Sequence, residues 1–442
     1  MKKKYINGRI KYKQKYKKEQ DSDDNTSKFK INFIFKAVLI FIFIFSNKYS
    51  YSNDITPPPP TLEEKKALQE ILSFENNINL TDETFYEFRF INRRNELIDE
   101  NIKFEKSEKP DISVIMMVYN QAYCLHKCMR SIQNQSLKNI EIIVVDDCSL
   151  DNSVELIKEY QKEDPRIILI EHDANMGMIK TRSDGMRMAK GLYVTTVDGD
   201  DAFIHKDILK NSLYIAQKGN IDVVEFPKRF FSGQNFYETI YHFPNLNLNY
   251  IVHQPELRTK FTFNKKQKNF IYTNKQIIGK LIKNELYKKA LEYVGKEYTE
   301  DYINHNEDTI IVISILHLAK SYYLMKEVGY VYFIGQKRKY FKKNENKVCK
   351  VIDKLKNFSK FKYIKFLVEK TGNNFKEQNF AYRQITELKF DNFFNNTNFN
   401  ERHYNIVLKI FEQSLTFKYL NKKQKDYLIL IRNKILERKK SI

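Results

Sequence analysis

Tyr193-Val194-Thr195-Thr196-Val197-Asp198-Gly199-Asp200-Asp201 is the stretch on which the reading of this chain turns. Five β-branched or aromatic residues in succession predict a strand, and the carboxylates that follow fall at its carboxyl end. Several acids crowded at one strand end repel one another and raise each other's pKa unless a cation sits between them. Hard oxygen donors suit Mg2+ or Mn2+, which typically hold a substrate phosphate beside one or two carboxylates. The competing reading is an acidic turn ahead of a helix starting near Lys206.

Upstream of this stretch, apolar runs alternate with helical periodicity. Ile112 to Val118, Ile140 to Val145 and Ile167 to Ile170 read as strands, and Leu125 to Gln133, Ser153 to Tyr160 and Met178 to Ala189 read as helices. Strand-helix alternation of this kind predicts an α/β domain with a mostly parallel sheet. In open sheets ligands bind outside the carboxyl ends of the strands, where the unusual residues gather: Val118-Tyr119-Asn120, Asp146-Asp147-Cys148-Ser149, His172 to Gly177, and Asp198 to Asp201. Each loop alone is a weak signal; their shared position is the argument.

The chain has 442 residues, 42% of them hydrophobic, which allows a substantial core and more than one structural unit. Lys and Arg outnumber Asp and Glu by 76 to 55. The excess is spread along the sequence with no nucleic-acid-binding motif, so a solvated basic surface is expected and nucleic acid is not. Four cysteines, Cys124, Cys128, Cys148 and Cys349, lack both the density of a disulfide scaffold and the CxxC spacing of a zinc site.

Residues 1–30 carry eleven basic side chains against four acids, and an apolar segment, 31–46, follows. It is short for a membrane span of about 20 residues. The positive-inside rule applied to it predicts a signal anchor with a cytosolic basic tail, a cleaved signal peptide being the competitor. On that reading the protein is single-pass, with its catalytic domain in the lumen of the Golgi or endoplasmic reticulum, where sequons at Asn79, Asn134, Asn357 and Asn395 are permitted. Pro57 to Pro60 predict a stiff spacer, and apolar spacing from Leu62 to about Lys106 a helical stem, so that 47–109 form a stalk. Beyond Phe333 the apolar spacing of Tyr404 to Leu415 and Tyr427 to Leu436 suits amphipathic helices.

Taken together, the motifs Ile112 to Asn120, Glu141 to Asp151, Asn175 to Gly185 and Asp198 to Asp201 resemble those of the family 2 inverting glycosyltransferases. The match is close from Pro110 to Phe203 and looser to about Phe333, through Gly279 to Lys283 and Glu307-Asp308-Thr309. The resemblance implies a GT-A fold whose nucleotide-sugar half spans 110–220 and acceptor half 221–335, with a helical region over 336–442. It implies a nucleotide-sugar donor, a UDP-sugar being expected, and a glycan, lipid or protein acceptor.

By the same resemblance Tyr119 and Asp147 contact the base and Asp146 supports the turn, the reverse assignment of the two acids remaining open. Asn175, Gly177 and Arg182 lie on the donor side. Asp198 faces the ribose or the metal, Asp200 is the principal metal ligand, and Asp201 is a second ligand or a cap. Arg182 is a donor to phosphate or a partner of Asp184 or Asp173. Asp308 is the expected base, Asp301 its rival. The family's Pro is Met117 here, its Ala-Arg-Asn is Thr181-Arg182-Ser183, and its Gly after the Asp pair is Cys148. With no Trp in the chain, the QxxRW motif of processive synthases is missing, and transfer of one sugar per encounter is expected. A catalytically silent binding module and a sugar nucleotidyltransferase are the competing functions.

Overall fold

The computed structural model describes residues 103–232, 235–237, 251–254, 276–304, 306–334, 362–370 and 401–440, with isolated positions between 62 and 73 and at 257, 381–382 and 385–386. The runs read as strands form β1 (Ile112–Val118), β2 (Ile140–Asp146), β3 (Ile167–Glu171) and β4 (Tyr193–Asp198). Between them lie α1 (Leu125–Gln133), α2 (Ser153–Glu163) and α3 (Met178–Met188). Strands β1 to β4 pair in parallel in the order β3-β2-β1-β4. Alternate residues serve two cores: Val114 and Met116 of β1 face one with α1 and α2, whereas Ile115 faces the other with Ile179 and Met186 of α3. A sheet covered on both faces needs continuous apolar strands, and β1 is buried at every position.

The later strands depart from a purely parallel sheet. After β5 (Ala202–Phe203) and α4 (Ile208–Lys218) come β6 (Val223–Glu225), β7 (Lys228–Ser232), β8 (Asn235–Tyr237), β9 (Val252–His253) and β10 (Lys280–Lys283). Helices α5 (Asn284–Val294), α6 (Lys296–Thr299) and α7 (Glu307–Leu318) precede β11 (Ser321–Leu324) and β12 (Tyr330–Ile334). Strand β10 inserts antiparallel between β4 and β6, giving a sheet ordered β3-β2-β1-β4-β10-β6-β11-β9, and a smaller sheet runs β5-β12-β7-β8. The small sheet starts one residue after Asp201, so it closes over the acidic turn.

Helices α8 (Glu401–Leu415) and α9 (Lys422–Lys440) realise the amphipathic spacing of the C-terminal region. Their apolar residues, Val407, Phe411, Leu428 and Ile435 among them, join the core that holds α3, α5 and α7. Burying each such side chain contributes about 1.5–3 kcal/mol.

Two expectations need correction. Residues 103–110 are not helical, so the predicted stem does not extend to Lys106; most of it, with the Pro57 to Pro60 spacer, lies outside the described residues. The single-pass topology with a luminal Golgi or endoplasmic reticulum domain is not upheld: among the described residues no helix is long and apolar enough to cross a membrane. The Asn134 sequon, which a luminal location would permit to be used, is 4% exposed and closed to a glycan. Segment 31–46 lies outside the described residues.

Candidate active site

Parallel register brings the four expected loops to one edge. Met117 pairs with Asp198, Val118 with Asp146, and Asp146 with Glu171, so β1, β2, β3 and β4 end side by side. The loops after β1 and β2 are stitched together: Asn120 donates its N–H to Ser149 Oγ (2.9 Å) and accepts the Leu150 N–H at Oδ1 (2.6 Å). Asn120 and Cys148 both adopt left-handed backbone, with φ of 53° and 64°. Cys148 stands where the family has Gly, the residue for which that conformation costs nothing. Tyr119 is half-buried beside Asn120.

Asp146 and Asp147 have different work. Both Asp146 oxygens accept from Ser149, from its N–H at 2.8 Å and from its hydroxyl, and burial raises its pKa while those bonds oppose the rise. Asp147 accepts the N–H groups of Met176 (2.7 Å) and Gly177 (3.0 Å) and a contact from His172 Nδ1 (3.0 Å). An ionised carboxylate has about four acceptor positions, so one remains for a ligand. Asn175 Nδ2 donates to the Asp147 carbonyl at 3.2 Å. Gly177 caps α3 with φ of 85°, and a Cβ there would lie 2.9 Å from Asn304 Oδ1.

The acidic turn is a tight cluster. Asp198, Asp200 and Asp201 each offer an oxygen within 4.8 Å of the others. Asp201 is fully buried and accepts the Tyr330 hydroxyl (2.9 Å) and the Phe333 N–H (3.0 Å), both from β12. Burial, then the Asp198 and Asp200 charges, push its pKa well above the usual carboxylate range. Tyr330 also accepts the Asp198 N–H at 3.1 Å. The two thiols of α1 reach the same turn, Cys124 Sγ 3.7 Å from the Gly199 carbonyl and Cys128 Sγ 3.6 Å from that of Asp198. An all-carboxylate donor set fits Mg2+ or Mn2+; Asp198 and Asp200 would hold the ion, while Asp201, committed to β12, fixes the turn.

Arg182 joins the two halves. It is 1% exposed, and its Nη2 lies 2.9 Å from Asp308 Oδ1, 3.8 Å from Asp198 Oδ1 and 3.9 Å from Glu307 Oε1. The pairings with Asp184 or Asp173 do not form: Asp184 is taken by His172, Lys180 and Arg187. Among the described residues, none of the guanidinium nitrogens completes a well-aligned hydrogen bond. Burial alone would lower its pKa, but Asp308 and Asp198 outweigh that and keep it charged. Ser183, in the family's Asn position, bonds back to the Ile179 carbonyl at 2.7 Å.

Asp308 sits in the first turn of α7, behind Asn306 in left-handed backbone, with its side chain 20% exposed. Glu307 beside it is buried, and burial followed by the Asp308 charge raises its pKa well above the ordinary value. The rival Asp301 is instead held by Lys362 at 2.5 Å.

Sequence reasoning gave no role to His172, Lys127, Lys228, Lys280 or Tyr330. His172 bridges Asp147 and Asp184, and those hydrogen bonds, in that order, lift its pKa to about 9 against burial. Lys127 of α1 is buried with its ammonium 3.3 Å from the Phe333 ring centre; burial lowers its pKa, opposed by Cys124, Asp201 and Asp200. Lys228 and Lys280 are buried as well, their ammonium groups donating to the carbonyls of Ile278 (3.1 Å) and Gln276 (2.6 Å). Burial lowers both pKa values, that of Lys280 to about 7, with Glu225 opposing. The local signals for these were the lysine after a glycine at 279–280 and the place of His172 in the loop after β3.

An α/β domain with a carboxylate cluster at its parallel strand ends, and an acidic helix start facing it, has a GT-A-like glycosyltransferase fold. Residues 113–288 match the model of glycosyl transferase family 2. It is 30% identical over 228 residues to the uncharacterized glycosyltransferase EpsJ of Bacillus subtilis, covering 50% of this chain and 61% of that one. It is 31% identical over 222 residues to glycosyltransferase GlyA of Streptococcus pneumoniae, covering 48% of this chain and 30% of that one. The chain thus spans less than two thirds of these relatives. The crystal structure of S. aureus TarS 1-349 in complex with UDP superimposes with a TM-score of 0.50 at 15% identity, over 74% of this chain and 89% of that chain. These relatives come from bacteria, which have neither Golgi nor endoplasmic reticulum, and this completes the correction of the luminal topology.

Proposed function

We propose that this protein transfers one sugar from a nucleotide-sugar, a UDP-sugar, to an acceptor hydroxyl with inversion at the anomeric carbon. The observation that carries the reading is the Arg182 bridge: one buried cation lies 3.8 Å from the carboxylate at the donor-side strand end and 2.9 Å from the carboxylate that opens α7. Inversion needs a base on the face of the sugar opposite the departing nucleotide. We read Asp308, partly exposed at a helix start, as the group that takes the acceptor proton, a role that typically contributes about 10²–10⁴-fold. Arg182 keeps that carboxylate oriented, and its unsatisfied N–H groups are donors available to a phosphate. Asp147 and the 175–177 loop hold the nucleotide side, with one acceptor position on Asp147 left for a ring N–H.

A divalent ion held by Asp198 and Asp200 would supply Lewis-acid stabilisation of the leaving diphosphate. A relative of the same fold crystallised with UDP supports the choice of donor nucleotide. Calorimetry of the full chain with UDP tests the reading. UDP should bind in the presence of Mn2+, and Asp200→Ala should abolish the Mn2+-dependent part. Folded protein that bound no UDP with or without Mn2+ would refute the donor assignment.

A further inference from the structure

The segment between α6 and α7 is gripped from two sides. On one side is α3: Glu300 pairs with Lys180 (3.0 Å) and Arg187 (2.5 Å), Asn304 Oδ1 accepts the Met178 N–H (2.6 Å), and the Ile303 carbonyl accepts the Ile179 N–H (3.3 Å). On the other side is a helix from the C-terminal region, residues 362–370. Its Lys362 reaches Asp301 Oδ1 at 2.5 Å, and its Glu369 accepts the hydroxyl of Tyr298, a side chain only 2% exposed. Phe366 packs edge-on against the Tyr298 ring at 5.2 Å, Lys365 donates to the Tyr298 hydroxyl at 3.1 Å, and Lys409 of α8 closes on Glu369 at 3.4 Å.

We propose that helix 362–370 is a positioning element of the catalytic centre, which through Tyr298 and Asp301 fixes residues 298–304 and thereby the start of α3 and the approach to Asp308. The inference rests on the reading of Asp308 as the base. Catalytic geometry fails over displacements of about 1 Å, and the described part of the connection, 300–304, is neither helix nor strand, so its contacts with its neighbours must hold that tolerance. Its Ile303 carbonyl and Asn304 side chain are bound to α3, the helix that carries Arg182, so a shift of 298–304 bears on both members of the Arg182–Asp308 pair. The helix that grips it shares the apolar core of α3, α5 and α7 through Ile364, Phe366 and Leu367. That core also takes in Tyr298 and Ile303, so the helix and the segment it holds are anchored in one apolar cluster.

Hydrogen–deuterium exchange on the full chain, comparing wild type with Tyr298→Phe, Glu369→Gln and the double variant, decides the matter. Losing one charge-assisted hydrogen bond should raise exchange about tenfold in peptides covering 174–186 and 299–304. Peptides from β1 and β2 should be unchanged, and the double variant should be no worse than either single one. In parallel the variants should lower kcat for transfer while leaving the donor KM within about twofold. Faster exchange confined to 362–370, or additive single effects, would overturn the proposal. Exchange is read without donor or acceptor, so a wild type that transferred no sugar would refute the role of Asp308 while the exchange comparison still decided the clamp.

Discussion

Replacing His172 with Gln removes a charge, and the structure sets the pH at which that matters. His172 Nδ1 lies 3.0 Å from Asp147 and Nε2 3.1 Å from Asp184, with the imidazole 9% exposed. Those bonds raise its pKa from 6.5 to about 9. A group whose folded pKa lies above its unfolded value gives its full stabilisation below about pH 6.5 and loses it as pH rises through about 9. At 1.36 kcal/mol per pKa unit the contribution is at most about 3.4 kcal/mol. Asp184, which burial would raise but His172 and Lys180 hold down at about 2, reflects the same contacts and adds nothing to that figure. Lys280 works with the opposite sign. Its pKa of about 7 is depressed, so its burial penalty is complete below that pH and is relieved as pH climbs toward 10.5.

The measurement is therefore a double difference, urea unfolding of wild type and His172→Gln at about pH 6 and about pH 10, in which Lys280 cancels. The stability gap should shrink by about 2 kcal/mol between the two conditions. A gap equal at both pH values would mean that the ring acts as a neutral donor, and would refute the charged bridge.

Cys148→Gly should stabilise the protein by about 0.5–1 kcal/mol in urea unfolding, because a left-handed φ of 64° penalises any side chain; no gain would show that the turn is unstrained. Gly191→Ala should cost more than about 2 kcal/mol or prevent folding, since its Cβ would lie 2.5 Å from the Ser113 nitrogen and 2.8 Å from the Ile112 carbonyl carbon, backbone atoms that cannot step aside. Asp308→Asn should lower kcat by about 10²–10⁴ with UDP affinity within about threefold. Retained turnover would move the base elsewhere. The same variant should also unfold more easily, because the buried Arg182 loses its nearest counter-charge.

What was legible in the sequence follows contact distance. The strands and helices from Ile112 to Asp198 were readable because each is set by its own residues, apolar runs for strands and helical spacing between them. The convergence of four loops followed from parallel topology alone. Beyond Asp198 the strands shorten to between two and five residues, too few for any period, and the insertion of β10 between β4 and β6 could not be read. The same limit hid the partners within the site. Tyr330 reaches Asp201 across 129 residues, and Asn304 reaches Met178 across 126. Arg182 was singled out with three candidate partners, and its nearest carboxylate is none of them. His172 stood in a quoted loop without a role because its two carboxylates lie 25 and 12 residues away.

The charge balance of the site bears on the order of its binding events. Asp198, Glu307 and Asp308 lie within 4 Å of the Arg182 guanidinium, and Asp200 and Asp201 cluster with Asp198. Burial and mutual repulsion push Asp201 and Glu307 toward their neutral forms, and burial likewise weakens the charge on Lys127 and Lys228. The site thus gathers several carboxylates in one place before a diphosphate arrives. A ligand carrying further negative charge then binds well only if a cation is bound with it, and thermodynamic linkage makes the coupling mutual. Mn2+ should tighten UDP by the same factor by which UDP tightens Mn2+ on the protein, about 5- to 150-fold for couplings of ordinary size. Asp200→Ala should collapse both factors to about one. Equal UDP affinity with and without Mn2+ would mean that Arg182 and the buried lysines neutralise the diphosphate unaided, and the carboxylate cluster would then have to be read as a structural turn.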